Sequence, residues 1–432
     1  MLALSRFSRF SGFLIFLSFI FTLYSYFFNE NLQIVAVVSI WIAATILFFT
    51  LKKRKLISIL LLLSFLSLLY CYFNDIKIDF YKAFSINLYL LNLLIAVGFL
   101  KLIATPRSEK SVDLPSGKSS FIKTYLSIHL FGSVINLSAL LLVADKMYKK
   151  GKLSTLQIVL LTRSFASDAY WSPFFVAFAA AITYAPNLQT LTIIFFGIFL
   201  AIATFIITLL EVNYNKKFDL STFQGYPLSL QTLFIPLLLA IFVLFTHHFY
   251  EDLKIIVLIS LFSLLLTLFI LPIKKGFFES FKILKFYIID DLPKMKSELT
   301  LFLVAGIFGI FIGTTLLSFD FKLPFEIFDY KTASIVLLTF IILGFIGIHP
   351  IISISILGDF FVNANHTLLA MTFLMSWATT VSTSPISGLN LTLSSRYSCN
   401  PKEIFKLNII YAIKIYFICL IFLYLLSHFL NI

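Results

Sequence analysis

The sequence predicts an all-α integral membrane protein, with about 11 transmembrane helices plus two re-entrant hairpins in two inverted-topology repeats. Three observations lead there: the composition, the placement of Lys and Arg, and a repeated pattern of interrupted apolar segments. Of 432 residues, 60% are apolar and 12% charged, with 53 Phe and 19 Tyr. A soluble domain carries about 25% charged residues, so this chain cannot clothe a water-facing surface. A soluble enzyme, a disordered chain and a secreted disulfide scaffold are excluded. The three cysteines, Cys71, Cys399 and Cys419, are scattered and indicate neither a disulfide framework nor a metal cluster.

The elements follow in chain order. In lipid every backbone polar group must be bonded internally, so long apolar runs read as helices. Plain spans are expected near 11–28, 33–51, 56–73, 82–104, 190–211, 229–249, 253–273, 299–318 and 403–428. The first run ends in Tyr26-Phe27-Phe28-Asn29, without the small-residue cleavage site of a signal peptide, and reads as a retained helix. The stretches 119–148, 153–186, 332–363 and 365–396 are apolar but interrupted by Gly, Pro, Ser, Asn, His and charge. Residues 276–298 mix Phe, Lys and Asp and read as an amphipathic helix on the cytoplasmic interface.

Lys and Arg favour the cytoplasmic side of membrane proteins. With the N-terminus cytoplasmic, the inside segments hold 26 of the 33 basic residues and the outside segments five. That dispersal argues against nucleic acid as a partner and for contact with anionic membrane lipid. Lysines flank 119–148 at both ends, Lys118 and Lys123 before, Lys146, Lys149 and Lys150 after. Both ends therefore belong to the cytoplasm, which a hairpin turning near His129–Ser133 satisfies. A second hairpin, entered from outside, is expected over 332–363, turning at Gly344–Pro350.

Short motifs recur in the same order. Ile128-His129 with Ser133 matches Ile348-His349 with Ser353, and Ser172-Pro173 matches Ser384-Pro385. Each Pro lacks an N–H and interrupts its helix. The order of three spans, hairpin, broken helix and final span then occurs twice, in opposite orientation: an extra N-terminal helix over 1–32, a first repeat over 33–211 and a second over 212–428. Paired broken helices in inverted repeats mark secondary transporters.

In this architecture the chain resembles the ion transporter superfamily, which includes the divalent anion/sodium symporters and the arsenite and citrate permeases. The resemblance implies a homodimer and an elevator-type movement. At each turn tip the divalent anion symporters carry Ser-Asn-Thr; this chain carries His129/Ser133 and His349/Ser353.

Ionisable groups at membrane depth are costly and point to function. Arg163 is expected to bind a substrate carboxylate or oxyanion, or else to form a structural ion pair with Asp168. Ser172 and Ser384 precede Pro and are expected to cap the second half-helices, whose electropositive ends would face an anion. Ser133, Ser353, Thr383 and Asn390 complete the expected substrate set. Asp168, His129, His349 and Asn136 are the expected ion-coupling set, the imidazoles because an unperturbed histidine has a pKa of about 6.5. No Walker lysine motif, G-x-S-x-G elbow, His-Glu-x-x-His or CxxC occurs. No catalytic residue, metal or cofactor is expected beyond a coupling ion, H⁺ or Na⁺. The expected function is a multi-pass secondary transporter of a small anionic solute in a bacterial inner membrane. A lipid or lipid-linked-sugar flippase, or a polytopic glycosyltransferase or polymerase, is the alternative.

Overall fold

The computed structural model describes residues 2–51, 54–104, 114–227, 234–319, 323–325, 327–361 and 363–432. Lys52, Lys53, Arg107, Lys110 and Lys322, which enter the charge argument, lie outside them. The helices in chain order are α1 Leu2–Phe27, α2 Gln33–Phe48, α3 Lys55–Phe73, α4 Phe80–Ser85, α5 Leu88–Ala104, α6 Gly117–Ile135, α7 Leu137–Tyr148, α8 Thr155–Ala166, α9 Val176–Tyr184, α10 Thr190–Tyr214 and α11 Phe234–Phe249. They continue as α12 Ile255–Lys275, α13 Phe277–Phe286, α14 Lys296–Ser318, α15 Tyr330–Ile346, α16 Pro350–Leu357, α17 His366–Thr383, α18 Gly388–Tyr397 and α19 Pro401–Phe429.

Among the described residues, eight helical stretches are long and apolar enough to cross a membrane. Phe234–Phe249 and Tyr330–Ile346 are shorter and apolar. By length and composition the chain is a multi-pass helical membrane protein.

The chain divides into two compact units. The first comprises Met1–Ile103, Leu238–Pro324 and Ile354–Phe360. Within it α1 lies along α2, and α14 packs on α3. The sequence separates an interfacial helix over 276–298 from the span after it. The structure instead carries helix from Phe277 to Ser318 without interruption. Near Pro293, which has no N–H for the preceding turn, the helix widens into a π turn at Tyr287–Asp291 and tightens at Leu292–Met295. Tyr287 turns inward, donating from its hydroxyl to the Ile95 carbonyl at 3.2 Å. Its hydroxyl occupies the space that a side chain at Gly98 would fill.

The second unit comprises Ala104–Leu237, Phe325–Ser353 and Phe361–Ile432. Its core helix is α17, nearly all buried, with α8, α9, α15 and α19 against it. Local sequence sets the helix starts. Ser154 and Gln157 form a reciprocal capping box at α8. Asp329, Asn365 and Asn400 accept first-turn N–H groups of α15, α17 and α19. Gly347, at φ 111°, closes α15 in a left-handed conformation that a side chain would strain.

Residues 117–148 form two helices joined at a single residue, Asn136, at φ 49° and ψ −139°. The break falls three residues beyond the expected turn, because α6 runs on through His129 and Ser133. Gln157, at the start of α8, donates to the Gln224 carbonyl at 2.8 Å, and Gln224 is bridged to Ser116 at the start of α6.

Candidate functional site

The second unit gathers the polar side chains. α8 ends at Ala166 and tightens into a 3-10 turn over Ser167–Tyr170 before the Ser172-Pro173 step. That turn presents Asp168, fully buried, to α6. His129 Nδ1 lies 2.8 Å from Asp168 Oδ1 and 2.8 Å from Ser167 Oγ. Ser167 donates its own proton to the Ser164 carbonyl at 2.7 Å, so its oxygen accepts from His129. On the other side of the ring, the Trp171 indole N–H donates to His129 Nε2 at 3.2 Å. An indole nitrogen only donates. Nε2 is therefore bare and Nδ1 carries the proton.

Asp168 is left without an aligned hydrogen bond at either oxygen. The space beside Oδ2 exists because residue 132 is glycine; a Cβ there would overlap the carboxylate. A fully buried carboxylate without an aligned donor favours a proton or a cation. Asn136 donates its amide to the Phe174 carbonyl at 3.1 Å, while its own Oδ1 is buried without a donor. The unsatisfied atoms on this side are thus acceptors, which suits H⁺ or a small cation. The Ser172 hydroxyl donates to the Ser133 carbonyl and accepts from the Phe174 N–H at 3.2 Å. The end of α6 and the helix break are stitched together by these contacts.

Arg163 faces elsewhere. It is 0% exposed; its Nε donates to Asn408 Oδ1 at 2.9 Å. Its Nη2 donates to Glu211 Oε1 at 2.9 Å and to the Leu407 carbonyl at 3.1 Å. The guanidinium carbon stands 4.1 Å from the centre of the Tyr411 ring. Lys414 donates to the second Glu211 oxygen at 3.1 Å. The structural ion pair that the sequence places between Arg163 and Asp168 is therefore made with Glu211, because α10 continues to Tyr214 and keeps Glu211 on the helix. One guanidinium nitrogen, Nη1, has no partner.

The second break is assembled differently. Asn408 donates to the Ser382 carbonyl at 3.0 Å. Asn390 donates to the carbonyls of Ser384 at 2.9 Å and Ser382 at 3.3 Å, with its own Oδ1 buried and unpaired. Thr383 Oγ1 lies 3.1 Å from Ser382 Oγ. Ser384 is buried, its N–H bonded to the Thr380 carbonyl at 2.8 Å. It does not cap α18. Ser387 does, accepting from the Asn390 N–H at 3.2 Å, because the chain needs three residues after Pro385 to recover helical geometry. By the same shift α9 starts at Val176, with no side chain capping it.

His349 follows the left-handed Gly347; its ring centre is 5.2 Å from that of Trp377, nearly perpendicular. Ser353 is buried on α16. Sequence reasoning missed Ser167, Trp171, Glu211, Ser387 and Asn408. Among the described residues, no three His, Cys, Asp or Glu side chains gather as a metal set. No model of a known protein family matches the chain, and no curated protein matches it.

Proposed function

We propose that the protein is a secondary active transporter that moves a small anionic solute by alternating access and couples it to H⁺ or Na⁺. The observation that carries this reading is the fully buried Asp168, set at a helix break beside His129 and lacking any aligned hydrogen bond. Such a carboxylate binds and releases a cation as its surroundings open and close, which is what ion coupling requires. Two features support an anionic solute. No side chain caps the electropositive start of α9, and a second helix start follows Ser384-Pro385. In this reading α6–α7 and α15–α16 are the re-entrant hairpins of two inverted repeats, Ser133, Ser172, Ser353, Thr383, Ser384 and Asn390 line the solute path, and Asp168, His129, His349 and Asn136 serve the ion. Arg163 holds the frame of the site through Glu211 and Asn408.

The test begins with thermal shift of the purified protein against dicarboxylates, amino acids, oxyanions and sugars, each with Na⁺ or K⁺ at two pH values. The stabilising compound is then assayed for uptake into proteoliposomes with an imposed H⁺ or Na⁺ gradient. Gradient-driven uptake that Asp168→Asn abolishes is expected. Uptake indifferent both to the gradient and to Asp168→Asn, at equal protein incorporation, overturns the proposal.

A further inference from the structure

Trp171 has a stereochemical relation to His129 that goes beyond packing. Its indole N–H ends on Nε2, the one nitrogen of His129 with a free electron pair. Nδ1 already carries a proton, directed at Ser167, with Asp168 Oδ1 2.8 Å from the same nitrogen. A further proton arriving at this pair has two destinations. On Asp168 Oδ2 it would lie against the Gly132 backbone, in the space that a side chain there would fill. On Nε2 it makes an imidazolium 2.8 Å from the Asp168 carboxylate, a charge-assisted pair in a dry setting. The imidazolium has no electron pair left for the indole. Two N–H donors 3.2 Å apart then repel, and one side must move.

The ring of His129 is held on its other edge by Ser167 and Asp168. The backbone of Trp171 is also held. Gly197 of α10 lies against the Tyr170 carbonyl and Trp171 Cβ, closer than any side chain would permit. Ser172, the next residue, is bonded to the Ser133 carbonyl. What remains free to swing is the indole, which is only half-buried.

We propose that Trp171 is a proton-displaced latch: its indole closes over neutral His129, and a proton taken up at Nε2 expels it from beside the helix break. This deepens the coupled-transport reading and rests on it for its purpose, though not for its chemistry. The proton forms an N–H bond at Nε2, the indole hydrogen bond breaks, and the charge of the His129–Asp168 pair goes from −1 to neutral. Among the described residues, Asp168 is the charged group at bonding distance from His129. Arg163 on α8 is turned to Glu211, Asp145 on α7 holds Arg396, and Asp219, before the turn that packs on α6, holds Ser221.

The experiment is intrinsic fluorescence of the full chain in detergent, with Trp41→Phe and Trp377→Phe leaving Trp171 as the emitter. Between about pH 8 and about pH 5, where histidine changes charge, the emission is expected to shift to the red and become more accessible to a soluble quencher. His129→Gln is expected to abolish the shift. A parallel measurement needs no such variants: 5-fluorotryptophan labelling of the unaltered chain gives ¹⁹F resonances, and the one lost in Trp171→Phe should move with pH. A pH-independent Trp171 in both measurements, or a shift that persists in His129→Gln, overturns the latch. A Trp171 shift in a protein that shows no gradient-driven uptake would leave the latch standing and sink the transporter reading instead.

Discussion

The two helix breaks look alike in sequence, each a Ser-Pro step downstream of a His, yet they are built on opposite principles. The first concentrates charge: Asp168 and His129 sit within 2.8 Å, with the carboxylate fully buried. Among the described residues the second has no carboxylate–imidazole pair, and the charge that reaches it is Arg163, through Asn408. Its carbonyls are taken up by the amides of Asn390 and Asn408 and its N–H groups by Ser387 and the backbone. The histidines differ too. His129 precedes its helix joint at Asn136, whereas His349 follows its joint at Gly347. The same short motif thus sets both imidazoles beside an indole, but only His129 also meets a carboxylate among the described residues. Proline sets where a helix stops; the neighbours decide whether the gap becomes an ion site or a closed polar seam.

Substitutions can break or sharpen this contrast. The largest effect is expected at Arg163, whose removal strands Glu211 with Lys414 as its sole partner. Arg163→Ala should lose about 3–5 kcal/mol of stability, read as a large fall in the thermal midpoint. The double variant Arg163→Met with Glu211→Gln should recover a substantial part; no recovery would show that the pair is not what Arg163 supplies. Next come two glycines, one beside each break. Gly132→Ala drives a methyl into Asp168 and should cost about 1–3 kcal/mol. Gly388→Ala meets open space and should change stability by less than about 0.5 kcal/mol. Equal losses at the two would erase the asymmetry. At the second break Ser387→Ala, which removes a helix cap, should cost about 1 kcal/mol, and Ser384→Ala less, since its backbone makes its bonds. The reverse order would restore Ser384 as the cap. Smallest is the exposed pair of Asp145 and Arg396, 2.7 Å apart and about half open to solvent. Asp145→Asn should cost no more than about 1 kcal/mol, and less in high salt.

How much of this could be read beforehand depended on whether a signal was local. Pro173 and Pro385 remove N–H groups, and both helices do stop around them. Asp168 and His129 stood out because ionisable residues are rare in apolar runs. Glu211 did not, because it is the last residue of the expected span over 190–211, whereas the helix runs three residues further, to Tyr214. Helix ends are set by backbone geometry that hydropathy does not record. Ser387 was missed for a similar reason: the first helical residue after a Ser-Pro step depends on how many residues the chain takes to turn. The partnership of Arg163 with Asn408 crosses 245 positions, and no periodicity within a single helix reports it.

One feature of the first unit has a mechanical meaning. The Tyr287 hydroxyl sits in the notch left by Gly98, and Gly12 meets the Ile288 and Ile289 carbonyls where any side chain would collide. The π turn thus acts as a splined joint: the wide turn is the tooth, and the two glycines are the slots cut to receive it. A helix seated this way can bend or slide as a piece but cannot spin about its own axis without first withdrawing the tyrosine. The long Phe277–Ser318 rod is therefore fixed in rotation toward its N-terminal end, so a torque applied to its exposed aromatic start, Phe277 and Phe278, is delivered to α1 and α5 rather than dissipated along the rod.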